Sequence, residues 1–179
     1  MDNIPDAVPL SDEHQLLLNE LEAYAKSTIE HETARLVELI DIVNQSVDIK
    51  LVSGIPVTNV TLSIAELEAL AMKIPAECAY LQSRMNQYSS SNMFRDLSIE
   101  AKTSLSLSSL AGTKGTAEER RRQAEITVLD ERLENAVNKL IIKGIQGSID
   151  RADKVYEGVK KVMDFRSKEG LFDRKVATP

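Results

Sequence analysis

TAEERRRQAEITVLDERLENAVNKLIIKGIQGSIDRADKVYEGVKKVMDFRSK, residues 116–168, is the stretch that decides the fold. Apolar side chains recur along it at Ile126, Leu129, Leu133, Val137, Leu140, Ile141, Ile145, Ile149, Val155, Tyr156, Val159, Val162 and Met163. Spacings of three and four residues mark an α-helix with one buried stripe. They predict a single helix of about 50 residues, about 75 Å long at 1.5 Å per residue. It follows Ala111-Gly112-Thr113-Lys114-Gly115, a turn bracketed by glycines. A helix of that length cannot hide its own stripe, so it calls for the helix before the turn and for further copies of the chain.

The composition agrees with a helical reading. The 179 residues include four Tyr, three Phe and no Trp, which points to an aliphatic helix-bundle core rather than a sandwich or barrel. One cysteine, Cys78, excludes an intramolecular disulfide and suits a reducing compartment. No run of about 18 apolar residues and no basic-then-apolar leader is present, so the expectation is a cytoplasmic protein without a membrane span. The net charge of −6 is unevenly spread. Between Asp2 and Asp48 eleven acids face only Lys26 and Arg35, whereas from Lys139 onward ten bases face six acids. An acidic head on a basic tail fits an anionic partner at one end, or simply two solvated helix faces of different composition.

Upstream of the long helix, residues 1–10 contain Pro5 and Pro9 and read as a loose leader. Ser11 or Asp12 can cap a first helix running to about Asn44, with Leu17, Leu21, Tyr24, Ile29, Leu36, Ile40 and Val43 as its apolar positions and a break near Thr28 to Thr33. The period then changes. Val47, Ile49 and Leu51 alternate with polar residues, Ser53-Gly54 punctuates, and a β-branched run broken by Pro56 follows; residues 47–62 therefore predict a short β-hairpin. Ser63-Ile64-Ala65-Glu66 fits a capping box opening a short helix to about Lys73. Pro75 suits the first turn of a new helix reaching toward Leu110, with Leu81, Met85, Tyr88, Phe94, Leu97, Ala101 and Leu105 on one side. Ser89-Ser90-Ser91-Asn92 mark a kink or a loop. Ser104, Ser106, Ser108 and Ser109 are small enough to meet Gly144, Gly147, Ser148 and Ala152 in a close helix contact, or they are no more than weak helix formers. Lys168-Glu169-Gly170 resembles a helix stop.

The expected fold is thus mainly α: a long antiparallel helical hairpin with an N-terminal helix and a short β-hairpin, oligomeric and packed as a coiled coil. Residues 1–10 form the leader, 11–74 an acidic helical head, 75–170 the hairpin and 171–179 a tail.

Signals of catalysis are sparse, and no cofactor is expected. His14 and His31 have no companion Cys or His cluster. Gly112-Thr113-Lys114-Gly115-Thr116 lacks the spacing of a phosphate loop and lies between helices rather than after a strand. Cys78 reads as a small core residue. On the long helix Asp150, Glu157 and Asp164 each precede a lysine by four (Lys154, Lys161, Lys168), the orientation that gives helix-stabilising pairs of about 0.2–0.5 kcal/mol. The less committed cations are Lys114, Arg120, Arg121, Arg122, Lys139, Lys143, Arg151 and Lys160, with Arg120-Arg121-Arg122 beside the turn the best candidate patch. Interleaved aromatics are few, so this set suits phosphate contact without strong base readout.

Near the end of the long helix, Val159-Lys160-Lys161-Val162-Met163-Asp164-Phe165-Arg166-Ser167-Lys168-Glu169 resembles the C-terminal helix of UvsY-type recombination mediators of tailed bacteriophages, and Ile99-Glu100-Ala101 resembles their central helical segment. The resemblance implies a helical, ring-forming, non-enzymatic protein that binds single-stranded DNA and helps a recombinase replace single-strand-binding protein. Where that family carries a Lys-x-Arg pair, this chain has Leu105-Ser106-Leu107-Ser108-Ser109-Leu110, so Lys114 and Arg120 to Arg122 would have to supply the charge. The function expected is therefore a phage-type recombination accessory protein, a homo-oligomer in the host cytoplasm. The rival is an oligomeric helical scaffold or protein-interaction factor, such as a phage structural protein or an antagonist of host defence.

Overall fold

The computed structural model describes residues 12–52 and 55–176. Their order is α1 (Asp12–Ser46), β1 (Val47–Val52), β2 (Ile55–Val60), α2 (Ile64–Ser109), α3 (Ala117–Ile126) and α4 (Leu129–Val176). The expected leader, Ser11 and the Ser53-Gly54 turn lie outside the described residues. β1 and β2 pair antiparallel, Val47 opposite Val60 and Val52 opposite Ile55; Pro56, which has no N–H to donate, stands opposite Leu51.

The helices depart from the sequence reading in five places. Residues 116–168 are not one helix: α3 ends at Ile126 and α4 starts at Leu129. At the break the Thr127 hydroxyl donates to the Ala124 carbonyl at 2.7 Å, and the Val128 amide donates to the Glu125 carbonyl at 3.3 Å instead of reaching Ala124. Pro75 opens no new helix but lies inside α2, which also runs unbroken through Ser89–Asn92. Leu67, Leu70 and Ile74 on one side of the proline and Leu81 on the other are buried, and this burial offsets the missing proline amide. α1 likewise shows no break at Thr28 to Thr33, where Thr33 is buried. Finally, α4 continues past Gly170 to Val176 rather than stopping at Lys168. A glycine ends a helix by adopting a left-handed conformation, and among the described glycines the one with positive φ is Gly115, at +148°.

Two helix starts are built by reciprocal capping. Ser63 N–H donates to Glu66 Oε2 at 2.7 Å while Ser63 Oγ accepts from Glu66 N–H at 3.3 Å, the expected box. Thr116 and Glu119 repeat it at α3 with 2.7 and 3.2 Å. These amide donors hold the Glu66 and Glu119 carboxyls below the usual carboxylate range. At Gly115 an added Cβ would meet Glu119 Oε2 at 3.2 Å in a strained backbone, so the turn and the cap demand the glycine together.

The chain divides into two compact units, neither of them one continuous stretch. Unit 1 comprises Met1–Ile29 and Tyr88–Ile142; unit 2 comprises Glu30–Gln87 and Lys143–Pro179.

Unit 2 has a conventional aliphatic core of Leu36, Val43, Leu67, Leu70, Ile74, Leu81, Met85, Ile145, Ile149, Ala152, Val159 and Val162. α1 and α2 are joined there by an ion pair: Arg84 Nε lies 3.0 Å from both oxygens of Glu32, Arg84 Nη2 also reaches Glu32, and the Tyr80 hydroxyl donates to Glu32 at 3.4 Å. The guanidinium of Arg166 on α4 donates to the carbonyls of Leu62 and Val60, the latter at 2.7 Å, and so ties α4 to the exit of β2. Gly147 does not mark a close helix approach, since a Cβ added there would meet nothing within 4 Å. The serines expected to face it, Ser104 to Ser109, belong to unit 1.

Candidate functional site

Unit 1 is built differently. Here α2 and α4 run antiparallel, as their contacts show: Arg95 pairs with Glu134, Asp96 accepts from Asn135 Nδ2, and Lys102 pairs with Glu131. The Lys102 ammonium holds the Glu131 carboxyl below the usual range. The buried residues of this half of α2 are Asn92 and Ile99, which continue the three-and-four spacing of Leu81, Met85 and Tyr88.

Phe94, Leu97, Ala101 and Leu105, expected on that same side, fall instead on the opposite face of the helix. Phe94 is 74% exposed, Leu97 55% and Leu105 71%, and Ala101 is exposed with them. At 100° per residue the four positions lie within about 80° of arc, so they form one continuous stripe. Met93, 68% exposed, flanks it. The buried residues of unit 1 include two asparagines beside Ala25, Ile99, Ala124, Val128, Val137 and Ile141. Asn92 and Asn135 are 6% and 3% exposed, and the Oδ1 atom of each is buried without a hydrogen-bond partner. Asn135 also lines a groove of about 470 Å³ with Asp96, Ile99, Glu100, Arg132, Ala136 and Lys139, two acids against two bases.

A buried carbonyl oxygen without a donor is costly, and leucine nearly matches asparagine in volume. Asn92→Leu is therefore expected to raise the free energy of unfolding by about 1–2 kcal/mol, as a higher urea midpoint with an unchanged slope. A lower midpoint would mean that the Asn92 amide has a compensating partner.

The basic residues singled out in the sequence are spread over both units and are more engaged than their spacing implies. In unit 1, Lys114 is exposed in the turn before α3. Arg120 Nη1 donates to the Ala111 carbonyl at 3.0 Å and braces that turn. Arg121 pairs with Glu125 at 3.4 Å and Arg122 with Glu118 at 2.8 Å, although both arginine side chains remain 75% exposed. Lys139 lies in the groove beside Asp96 and Glu100.

In unit 2, Lys143 is exposed, and Arg151 Nε donates to the Gly147 carbonyl at 3.4 Å. Lys160 pairs with Glu157 at 2.5 Å and lies 4.6 Å from the Tyr156 ring centroid. Its glutamate partner raises the Lys160 pKa, and Lys160 in turn lowers that of Glu157. Glu157 thus pairs with Lys160, expected to be uncommitted, and not with Lys161; the three-residue spacing wins over the four-residue one. The expected pairing of Asp150 with Lys154 is also replaced, with Asp150 accepting from Gln146 at 2.7 Å, and Asp164–Lys168 is not among the ion pairs of the described residues.

Cys78 in unit 2 is half-buried rather than a core residue, and burial, then Asp153 and Glu77, push its thiol pKa up. Among the described residues no cluster of three or more His, Cys, Asp or Glu could hold a metal ion, and no helix is long and apolar enough to cross a membrane.

The outward stripe is legible in the residues, on the face opposite to the one expected. The signal was there in Asn92 and Arg95, which occupy the positions where the spacing of Leu81, Met85 and Tyr88 continues, while the large apolar residues shift to 94, 97, 101 and 105. No family model, curated protein or solved structure matches the chain.

Proposed function

We propose that this protein is a non-enzymatic helical accessory factor that works by association, presenting the outward stripe of α2 to a protein partner and assembling with further copies of itself. The observation that carries this is the arrangement of unit 1, with asparagines inside and Phe94, Leu97 and Leu105 outside. Isolated exposed apolar side chains are ordinary, but a continuous helical stripe of them is the pattern by which helices recognise other helices.

Sedimentation velocity and light scattering test the proposal. The expected mass for the wild-type chain is above the 19.8 kDa of one copy, and Phe94→Glu with Leu105→Glu is expected to return it to one copy with unchanged helical circular dichroism. A wild-type mass of one copy at micromolar concentrations would overturn self-assembly.

A second reading is that the assembly binds single-stranded DNA and assists recombinase loading, as the resemblance of Val159 to Glu169 implies. It is supported by Lys114 and the exposed side chains of Arg121 and Arg122 around one turn, which suit phosphate contact. The expected result is salt-sensitive oligonucleotide binding that Arg121→Ala with Arg122→Ala weakens. Absence of binding at low salt would leave the protein-interaction reading alone.

A further inference from the structure

We propose that the outer edge of β1 pairs with the outer edge of β1 of a second copy, antiparallel, with Ile49 opposite Ile49 across a two-fold axis. The proposal rests on the association reading above and names a face through which copies meet. The backbone supplies the first ground. β1 and β2 form a two-stranded sheet, so each strand has one paired and one open edge. In an antiparallel ladder, residues that bond to the partner strand alternate with residues whose amide and carbonyl point away from it. The Thr61 amide donates to the Ser46 carbonyl at 3.0 Å, one step beyond the Val47–Val60 pair, and this fixes the alternation. Asp48, Lys50 and Val52 therefore bond to β2, while Val47, Ile49 and Leu51 turn their amides and carbonyls outward. On β2 the outward residues are Pro56, Thr58 and Val60.

The edge of β2 is closed. Pro56 has no amide to donate, and the Val60 carbonyl accepts from Arg166 Nη2 at 2.7 Å. The edge of β1 carries no proline. A strand edge with its donors and acceptors unspent is a template for another strand, and a lone hairpin gains from joining a wider sheet.

Charge selects β1 itself as that strand. The outward groups admit registers in which Val47, Ile49 and Leu51 face one another. With Ile49 opposite Ile49, Val47 stands opposite Leu51, and Asp48 of each copy stands opposite Lys50 of the other, so every contact occurs twice. The Asp48 and Lys50 positions are then non-hydrogen-bonded pairs, whose Cα atoms approach to about 4.5 Å, close enough for opposite charges to attract. Sliding the strands by two residues in either direction sets Asp48 against Asp48 or Lys50 against Lys50, and parallel pairing in register sets both like charges side by side. Like charges at facing positions are destabilising. A ladder of five residues is marginal by itself, so it acts together with the other contacts of the assembly.

Cysteine cross-linking of the full-length chain tests this. In a Cys78→Ser background, which removes the native thiol, the Ile49→Cys chain is expected to give a disulfide-linked pair, because its two positions lie about 5.5 Å apart between Cα atoms. The Thr58→Cys chain is expected to give none, since three strand spacings of about 4.8 Å each separate the two copies of that position. A linked pair from Thr58→Cys, or none from an Ile49→Cys chain whose reduced mass exceeds one copy, would place association elsewhere and overturn this proposal alone. A wild-type mass of one copy would overturn the association reading with it.

Charge exchange supplies a check that leaves Ile49 in place. Asp48→Lys and Lys50→Asp, each alone, set like charges opposite one another twice and are expected to weaken association about tenfold. An equal mixture of the two variant chains restores opposite charges and is expected to recover the wild-type affinity, as measured by sedimentation velocity. Single variants that associate as tightly as the wild type, or a mixture no tighter than either variant alone, overturn the proposal.

Discussion

Leu81→Ala is expected to lower the free energy of unfolding by about 3–4 kcal/mol, whereas Leu97→Ala on the same helix is expected to cost about 0.5 kcal/mol or less in dilute protein. Leu81 is fully buried in the aliphatic core of unit 2, and Leu97 is 55% exposed in unit 1. Truncating the first removes transfer energy and leaves a cavity that the close-packed core around it cannot fully collapse into. Truncating the second removes side-chain surface that already faces water. Urea unfolding followed by circular dichroism measures both midpoints. Equal losses at Leu81 and Leu97 would mean that α2 has a single buried stripe along its whole length, and the outward face would vanish with the association built on it.

The second large effect is expected at the ion pair between α1 and α2. Arg84→Ala should destabilise the protein by about 3 kcal/mol, near the lower end for breaking a buried pair. The reason is asymmetry: the Glu32 side chain is 7% exposed and the Arg84 side chain 34%. Removing the guanidinium takes a charged donor from both oxygens of a carboxylate that the fold buries, whereas the arginine already keeps part of its surface in water. Replacing both residues, Glu32→Leu with Arg84→Leu, removes the desolvated charge altogether and should recover most of the loss. A double variant as unstable as Arg84→Ala would show that the pair contributes more than compensation for its own burial. The same unfolding measurement decides it.

Both effects bear on how the candidate surface is made. Unit 2 binds its helices through aliphatic packing, one buried ion pair and the Arg166 tie to β2. Unit 1 has few large buried side chains, Ile99, Val128, Val137 and Ile141 among them, and keeps asparagines in its seam. Buried asparagines cost stability and are a known device for specifying helix register. In this chain they coincide with apolar residues on the outside, the combination expected where a helix has a partner on each side.

Much of the architecture was legible in the residues alone. Three-and-four spacing predicts long helices, and the glycine-bracketed turn at 112–115 predicts their reversal; the Arg95–Glu134 and Lys102–Glu131 contacts bear that reversal out within unit 1. Ser63 and Glu66 announce their capping box because both partners lie within one turn of each other. Local chemistry of this kind is visible in sequence because it depends on neighbours a few residues apart. The continuity of α2 through Pro75 and the extension of α4 past Gly170 were not legible. A proline or glycine states only the local cost of a helix, of order 1–3 kcal/mol, and burial elsewhere decides whether that cost is met.

What the amino-acid order determined by itself was the set of helical stripes: periodicity is a property of one chain segment, so 81, 85 and 88 share a face, as do 94, 97, 101 and 105. Which stripe turns inward was decided by tertiary structure alone. On a helix carrying two apolar faces, the buried one is the one its partner helix covers, and the contacts of Asp96 and Arg95 of α2 with Asn135 and Glu134 of α4 mark that side. Those contacts are made between residues 39 apart in the chain, and no spacing within α2 contains them.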